Sequence, residues 1–283
     1  MATALVTGCS TGIGFATALR LATEGFDVVA TMRNPDKDGE PLFGAASDAG
    51  VVLRLRALDV RDDESVRRAF EGLDDLEVLV NNAGIVWFES AEEMSVQWWQ
   101  DIFDTNLFGP VRCMRAALPI LRARGGGCIV NVSSAAGSVA MPGTAAYGSS
   151  KAALESASEV LAIEGAQHGI RVVVVETGAT MTAMGSKIEA PGRDSPYWPA
   201  MRNTMAFLAS RGDRNSAPDE IAGGIARAIR DPSCPFRIAV GQAAPELMGL
   251  RSRLSAEEWI ALANRPSREF VAAIDSAEPA FGY

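Results

Sequence analysis

A glycine-rich turn close to the start of the chain limits the possible folds more than any other feature of the sequence. The turn reads Thr-Gly-Cys-Ser-Thr-Gly-Ile-Gly from Thr7 to Gly14, and it follows the apolar run Ala4-Leu5-Val6. Apolar residues then recur at helical spacing, so the pattern predicts a strand, a loop and a helix. Glycines allow a backbone to approach a pyrophosphate, and the free amides at the start of the helix attract its charge. A plain tight turn is the alternative interpretation of this motif when it is taken alone.

Short apolar runs alternate with helical patterns along the rest of the chain. This alternation predicts an α/β protein with a Rossmann-type, doubly wound parallel sheet of about seven strands and helices on both faces. The apolar residues, 48% of the chain, are spread evenly and show no break in composition. We therefore expect a single domain over residues 1–283.

A tyrosine and a lysine stand four residues apart at Tyr147 and Lys151. On a helix, residues at this spacing share a face. A cation beside a phenol favours the phenolate, so the pKa of the phenol, about 10 in solution, can be drawn toward neutrality. Tyr147 is therefore a candidate general acid and base that exchanges a proton with a substrate oxygen. A surface pair is the more frequent origin of such a spacing, so the interpretation depends on neighbouring motifs.

Charge and composition argue against several classes of partner. The net charge is -9 without a cluster of Lys and Arg, which argues against nucleic acid or an anionic membrane. No apolar run approaches the roughly 18 residues of a membrane span, and the first strand begins too close to Met1 for a signal peptide, so we expect a cytoplasmic protein. Four scattered cysteines and one histidine indicate neither a disulfide framework nor a metal site.

The order of the motifs resembles the short-chain dehydrogenase/reductase family over roughly Ala2 to Val240. The glycine spacing Gly-x-x-x-Gly-x-Gly is the family's own version of the dinucleotide-binding turn. The remaining motifs that carry the resemblance are Asn81-Asn82-Ala83-Gly84 after an apolar strand, Asn106, Ser134 thirteen residues before the tyrosine, and Tyr147-x-x-x-Lys151.

The resemblance implies hydride transfer between C4 of a nicotinamide and a carbonyl carbon, so that a ketone or aldehyde and an alcohol are interconverted. Tyr147 would give the carbonyl oxygen its proton, and Ser134 would hold that oxygen. Lys151 would bind the nicotinamide ribose and lower the pKa of Tyr147. Asn106 would position a water that resupplies protons, with a structural role in kinking or stapling its helix as the alternative.

The resemblance also implies which residues bind the cofactor. They are Gly8, Ser10, Thr11, Gly12, Ile13, Gly14, Arg33, Asp59, Val60, Asn82, Ala83, Gly84, Tyr147, Lys151, Gly178 and Thr182. Most of them follow directly after a predicted strand, at the edge where such sheets bind ligands. The family's Pro-Gly-x-x-x-Thr pattern departs at one position, because Thr177 replaces the proline while Gly178 and Thr182 remain.

Arg33 bears on the choice of cofactor. It stands just past the second strand, where a carboxylate would bind the adenosine ribose of NAD. A guanidinium suits a 2′-phosphate, so the sequence favours NADP(H) over NAD(H), and Ser10 could add a hydroxyl contact. The alternative is that Arg33 merely faces solvent.

The sequence further divides the single domain by role. Residues 1–182 are predicted to form the cofactor-binding and catalytic core, 183–216 a substrate lid without clean helical periodicity, and 242–283 a C-terminal extension with one or two helices. The methionines and aromatics of the lid suit a bulky apolar ligand, although they could also cover the core. Trp87 is expected to face the same ligand.

The segment Thr31-Met32-Arg33-Asn34, the Thr-Gly-Cys-Ser opening of the glycine turn and the long tail look most like the subgroup of 17β-hydroxysteroid and retinol dehydrogenases. This resemblance implies a hydrophobic carbonyl or secondary alcohol as substrate. Two alternatives stay open: a 3-oxoacyl or sugar reductase of the same fold, and a non-catalytic NADPH-binding regulator. The helices carrying Asn106 and Tyr147 are rich in apolar and small residues. By resemblance they are expected to pair across a two-fold axis, giving a homodimer or homotetramer.

Overall fold

The computed structural model describes residues 2–181, 192–212 and 215–277. Its strands are β1 Thr3–Val6, β2 Asp27–Met32, β3 Leu53–Ala57, β4 Leu76–Asn81, β5 Gly127–Ser134, β6 Ile170–Thr177 and β7 Arg237–Val240. Among the described residues they form one seven-stranded parallel sheet in the order β3-β2-β1-β4-β5-β6-β7. The strand order reverses between β1 and β4, which confirms the predicted doubly wound sheet.

Helices cover both faces of this sheet. In chain order they are α1 Gly12–Thr23, α2 Pro35–Asp38, α3 Glu40–Asp48, α4 Asp63–Phe70, α5 Val96–Phe103, α6 Gly109–Arg124, α7 Ala145–Ala166, α8 Trp198–Arg211, α9 Pro218–Arg230, α10 Ala243–Ser252, α11 Ala256–Ala263 and α12 Ser267–Asp275. Helices α1, α3 and α9 contribute to one apolar cluster, whereas α4, α6 and α7 contribute to another. Within the described ranges, no helix is long and apolar enough to cross a membrane.

The two clusters are built from alternate residues of the same strands. In β1, Ala4 and Val6 belong to the first cluster and Leu5 to the second, as the two-residue period of a strand requires. Because both faces are covered, a central strand such as β1 is buried at every position. This explains why the strands read as continuous apolar runs in the sequence.

The segment between α5 and α6 departs from regular helical geometry. Five residues, Asp104–Phe108, form a π-helical turn that contains Asn106. The sequence predicts one long helical stretch here, and the π-helical turn is an irregularity that its periodicity does not show. π-helical turns inside α-helices are frequent at functional sites.

One prediction about the second half of the chain is wrong. The extension folds, in its described part up to residue 277, into three helices, α10 to α12, instead of one or two. The predicted lid contains the regular helix α8, although its sequence lacks a clean apolar period. The reason is that α8 buries Asn203, Thr204 and Arg211 beside Met201 and Phe207, so polar residues occupy its inner face.

Candidate active site

A cavity of about 1010 Å³ opens along the carboxyl edge of the sheet. Its wall includes every predicted site residue that the structure describes, except Gly14 and Asn106. Thr182 lies outside the described residues. Residues distant in sequence therefore line one cavity, because the carboxyl ends of parallel strands meet at one edge.

The glycine turn is folded so tightly that two positions admit only glycine. Gly8 has a φ of +75°, and a Cβ placed on it would lie 2.9 Å from the Cα of Ala83. A Cβ on Gly14 would lie 2.3 Å from the carbonyl oxygen of Gly8. Gly14 therefore shapes the turn from behind, without forming part of the cavity wall.

The start of α1 is open toward the cavity. Thr11 stands at the N-cap position, but its side chain makes no capping hydrogen bond within the described part of the chain. Gly12 and Ile13, the first residues of the helix, line the cavity. Free amides at a helix start attract anions, so this end of the cavity suits a pyrophosphate.

Asn82 ties the glycine turn to the end of β4. Its Nδ2 donates to the carbonyl oxygens of Thr7, at 2.9 Å, and Gly8, at 3.2 Å. In return, the Thr7 Oγ1 accepts from the amides of Asn82 and Ala83 at 2.9 and 3.0 Å. These bonds fix two walls of the cavity against each other, a structural contribution alongside the predicted binding role.

Tyr147 and Ser134 are linked at the centre of the cavity. Burial raises the pKa of Tyr147, and a hydrogen bond with Ser134 opposes that rise. The sequence predicts instead that Lys151 lowers this pKa. In the structure the Lys151 Nζ lies 5.9 Å from the centre of the tyrosine ring and donates to the carbonyl oxygen of Val132 at 2.9 Å. Burial therefore has the larger effect, and the phenol is protonated at neutral pH.

Lys151 is itself buried, with 5% of its surface exposed. Burial lowers its pKa to about 8, and the charge of Glu155 opposes that lowering. A lysine with this pKa is mostly charged at neutral pH but titrates just above it. The charged state of Lys151 therefore depends on its surroundings.

Asn106 is held by the protein itself. Its Nδ2 donates to the carbonyl oxygen of Ile85 at 2.8 Å and to the Ser150 Oγ at 3.1 Å, while its Oδ1 accepts from the Ile85 amide at 2.8 Å. Ser150 in turn donates to the carbonyl oxygen of Tyr147 at 2.7 Å. The Asn106 side chain thus connects the segment after β4 to α7 by hydrogen bonds, close to Tyr147. Its role in positioning a water stays a prediction.

The opposite end of the cavity carries charge. Burial raises the pKa of Asp59, but the hydrogen bonds of Arg61 and the charges of Arg61 and Arg33 outweigh it, so the pKa is lowered. Arg61 also lines the cavity, a contribution that the sequence interpretation missed. Its position two residues after Asp59 was the only available signal.

The remaining wall is mostly apolar, and it corrects one prediction. Trp98 and Phe88 line the cavity, whereas Trp87, the predicted ligand contact, does not. Trp87 stacks behind Trp98 with ring centres 4.5 Å apart. Further apolar wall residues are Met141, Phe207, Leu208, Ala243 and Leu247. Phe207 and Leu208 belong to the predicted lid, whereas the sequence did not associate Ala243 and Leu247, from the extension, with the site.

Comparisons with known proteins agree with this geometry. The family model of the short chain dehydrogenases matches residues 2–192. Retinol dehydrogenase 8 of Homo sapiens is 35% identical over 255 residues, which cover 83% of this chain and 80% of the relative. A solved short-chain dehydrogenase from Streptomyces avermitilis is 31% identical with a TM-score of 0.78, covering 93% of this chain and 98% of that one. Another from Burkholderia cenocepacia, in complex with NADP, is 26% identical with a TM-score of 0.73, covering 94% and 98%.

A nicotinamide-dependent oxidoreductase that acts on alcohol or carbonyl groups is the class of protein that these findings define. The chain belongs to the short-chain dehydrogenase family. Its site fits a nicotinamide dinucleotide. Gly8 and Gly14 have no side chains, which allows the tight turn to form, and the open start of α1 can receive the pyrophosphate.

Proposed function

We propose that this oxidoreductase uses NADP(H) to interconvert a hydrophobic ketone or aldehyde with the corresponding alcohol. The observation that carries the proposal is that Tyr147 and Ser134 line the same cavity as the glycine turn and the apolar wall. The bound nicotinamide would supply or accept the hydride. The protein would bind and orient both reactants and move one proton.

Tyr147 is the proposed general acid and base. Its raised pKa keeps the hydroxyl protonated at neutral pH, so it can donate a proton to a carbonyl oxygen during reduction. Ser134, which is hydrogen-bonded to Tyr147, would hold that oxygen in place. In the oxidation direction the phenolate would accept the proton, and the positive charge of Lys151 would favour that form.

Arg33 supports the preference for NADP(H). It is exposed at the end of β2 and forms part of the cavity wall. Within residues 2–181, 192–212 and 215–277 it makes no hydrogen bond or ion pair, whereas the neighbouring Asp59 is engaged by Arg61. A guanidinium that forms no direct ion pair within the described residues, although its charge acts on nearby Asp59, is suited to a 2′-phosphate.

The wall beside Tyr147 supports a hydrophobic substrate. Trp98, Phe88, Met141 and Phe207 present aromatic and thioether groups there, and α8 contributes Met205 as well as Phe207. A sugar would leave many hydroxyls without partners against such a wall, which is costly. We infer that α8 is the described part of the segment that covers the substrate.

The proposal is tested by assaying turnover with NADPH and NADH on aliphatic, aromatic and steroidal ketones, beside charged oxoacids, 3-oxoacyl thioesters and sugars. Tyr147→Phe is expected to abolish turnover while NADPH still binds, because only the hydroxyl is lost. Ser134→Ala is expected to reduce turnover strongly, with Ser149→Ala, an exposed serine on α7, as the matched control. Near-normal turnover in Tyr147→Phe would refute the assignment of Tyr147 as general acid and base. Absence of turnover on the whole panel would favour the alternative of a non-catalytic NADPH-binding regulator.

A further inference from the structure

A buried carboxylate lies one helical turn beyond Lys151. Glu155 follows Lys151 by four residues on α7, so both side chains occupy the same face of the helix. Glu155 has 4% of its surface exposed and Lys151 has 5%. None of the predicted roles uses Glu155, yet a buried charge is costly and requires partners.

One oxygen of Glu155 is bound by the strand that leads to the catalytic serine. Its Oε1 accepts a hydrogen bond of 2.5 Å from the Oγ of Ser133, the residue before Ser134 at the end of β5. The turn after β5 closes over the same oxygen, since a Cβ placed on Gly137 would lie 2.4 Å from it. The carboxylate thus has a fitted position beneath the active site.

The other oxygen is bound by a cation from the edge strand β7. The Arg237 guanidinium, at the start of β7, donates to the Oε2 of Glu155. It also lies 3.9 Å from the carboxylate of Glu176 on β6 and 3.4 Å from that of Glu159 on α7. Glu155 is therefore the carboxylate that Arg237 binds most closely, and its charge is only partly neutralised.

We propose that Glu155 is a positioning residue for the reaction, holding Lys151 in its charged form and fixing the end of β5 through Ser133. The inference rests on the proposed function, because Lys151 and Ser134 are given their roles there. Glu155 does not touch the reacting atoms. It acts by its charge on the ammonium group of Lys151 and by its hydrogen bond to Ser133 at the end of β5.

The charged groups around Lys151 determine the direction of the effect. Those that face this region are Glu155 and Glu159 on α7, Glu176 on β6, Arg237 on β7 and the phenol of Tyr147. Glu155 raises the pKa of Lys151 and also that of Glu176, because its negative charge favours the protonated form of both groups. Removing that charge should lower both pKa values together.

The chain offers a direct measurement of this effect, because it contains three lysines, Lys37, Lys151 and Lys187. Carbon-13 labelling of lysine followed by NMR titration reads the pKa of each, and Lys37→Arg and Lys187→Arg assign the signals. In Glu155→Gln the pKa of Lys151 is expected to fall from about 8 by roughly one unit. At pH 7.5 this reduces its charged fraction about threefold.

Matched variants separate this role from a merely structural one. Glu159→Gln removes an exposed carboxylate from the same helix and should leave the pKa of Lys151 unchanged. Arg237→Gln should raise it, because Glu155 then lacks its counter-ion, and this opposite shift tests the proposal if Glu155→Gln does not fold. NADPH affinity should also be measured by fluorescence as a function of pH. The pH at which affinity changes should be lowest in Glu155→Gln, unchanged in Glu159→Gln and highest in Arg237→Gln.

Failure of the Glu155 proposal can be told apart from failure of the proposed oxidoreductase function. If the Lys151 pKa is the same in Glu155→Gln as in the unaltered protein, or if Arg237→Gln does not raise it, the proposal is overturned. The NMR titration needs neither substrate nor turnover. A Tyr147→Phe variant that keeps its activity would overturn the assigned reaction and leave the titration result intact.

Discussion

Replacing Glu176 with glutamine is expected to stabilise the protein above neutral pH. Glu176 has 2% of its surface exposed. Burial and the charge of Glu155 raise the pKa of its carboxyl from 4.5 to about 7, against the opposing influence of Arg237 and a hydrogen bond from Ser138. In the unfolded chain the same carboxyl titrates near 4.3. Between these pH values the folded protein therefore retains a proton that the unfolded chain releases.

The sign of the effect follows from this difference in proton binding. A carboxyl whose pKa is raised by folding contributes stability below its unfolded pKa, and the contribution is lost as pH rises toward the folded pKa. A rise from 4.5 to about 7 corresponds to at most about 3.5 kcal/mol, since one pKa unit is about 1.4 kcal/mol. Glutamine stays neutral at every pH and avoids this loss. As the pH rises, the unaltered protein should therefore lose stability that Glu176→Gln keeps. The difference between their unfolding free energies should grow by up to the amount given above.

The assay is urea denaturation followed by tryptophan fluorescence between about pH 4.5 and pH 8, at one protein concentration because oligomers dissociate on dilution. The stability gain should develop between about pH 5 and pH 7 and then level off. Glu159→Gln is the control, since its carboxylate lies near the same Arg237 but is 60% exposed. A difference that does not change with pH, or one that favours the unaltered protein at pH 8, would refute the reasoning.

Three further predictions concern the cofactor and the assembly. NADPH should bind more tightly than NADH, and Arg33→Ala should narrow that gap by roughly 1.5 to 3 kcal/mol; equal affinities in the unaltered protein would contradict this. Gly14→Ala should weaken NADPH binding and lower the unfolding free energy by about 2 kcal/mol, because its Cβ meets the carbonyl oxygen of Gly8. The control Gly44→Ala, in α3 with open space around it, should leave NADPH binding unchanged and raise the unfolding free energy by about 0.5 to 1 kcal/mol. Light scattering at micromolar concentration should give a dimer or tetramer, because Phe108 and Ile163 are 50% and 74% exposed; a monomer would oppose it.

The sheet and the cofactor half of the cavity could be predicted because their signals are local. Each strand is a short apolar run, and the turn from Gly8 to Gly14 needs glycine for reasons that its own spacing shows. Arg33 directly follows β2 and Ser134 is the last residue of β5, so the parallel topology alone brings them to one edge. No contact between distant segments had to be known.

The substrate half could not be predicted to the same depth, because its signals depend on tertiary contacts. Trp87 and Trp98 are equally aromatic in the sequence, and only packing decides that Trp98 faces the cavity. The pKa of Tyr147 depends on how deeply the phenol is buried and on where the Lys151 ammonium points, neither of which a four-residue spacing contains. The periodicity of α8 was hidden by the polar residues on its buried face.

Those buried polar residues explain how the substrate wall is attached. Asn203 of α8 donates from its Nδ2 to the carbonyl oxygens of Ala263 and Arg265, each at 2.8 Å. Arg211, the last residue of α8, has 2% of its surface exposed and forms ion pairs with Glu246 of α10 and Asp275 of α12.

The extension after Val240 therefore holds α8 at two points, Asn203 near its middle and Arg211 at its last residue, and it also contributes Leu247 to the cavity wall. The groups proposed to move the proton lie on β5 and α7, within the segment that matches the family model. Part of the proposed substrate wall thus lies outside the segment that carries the proton-transfer groups. A family match to residues 2–192 establishes the reaction class, while Phe207, Leu208 and Leu247 of the apolar wall lie beyond that match.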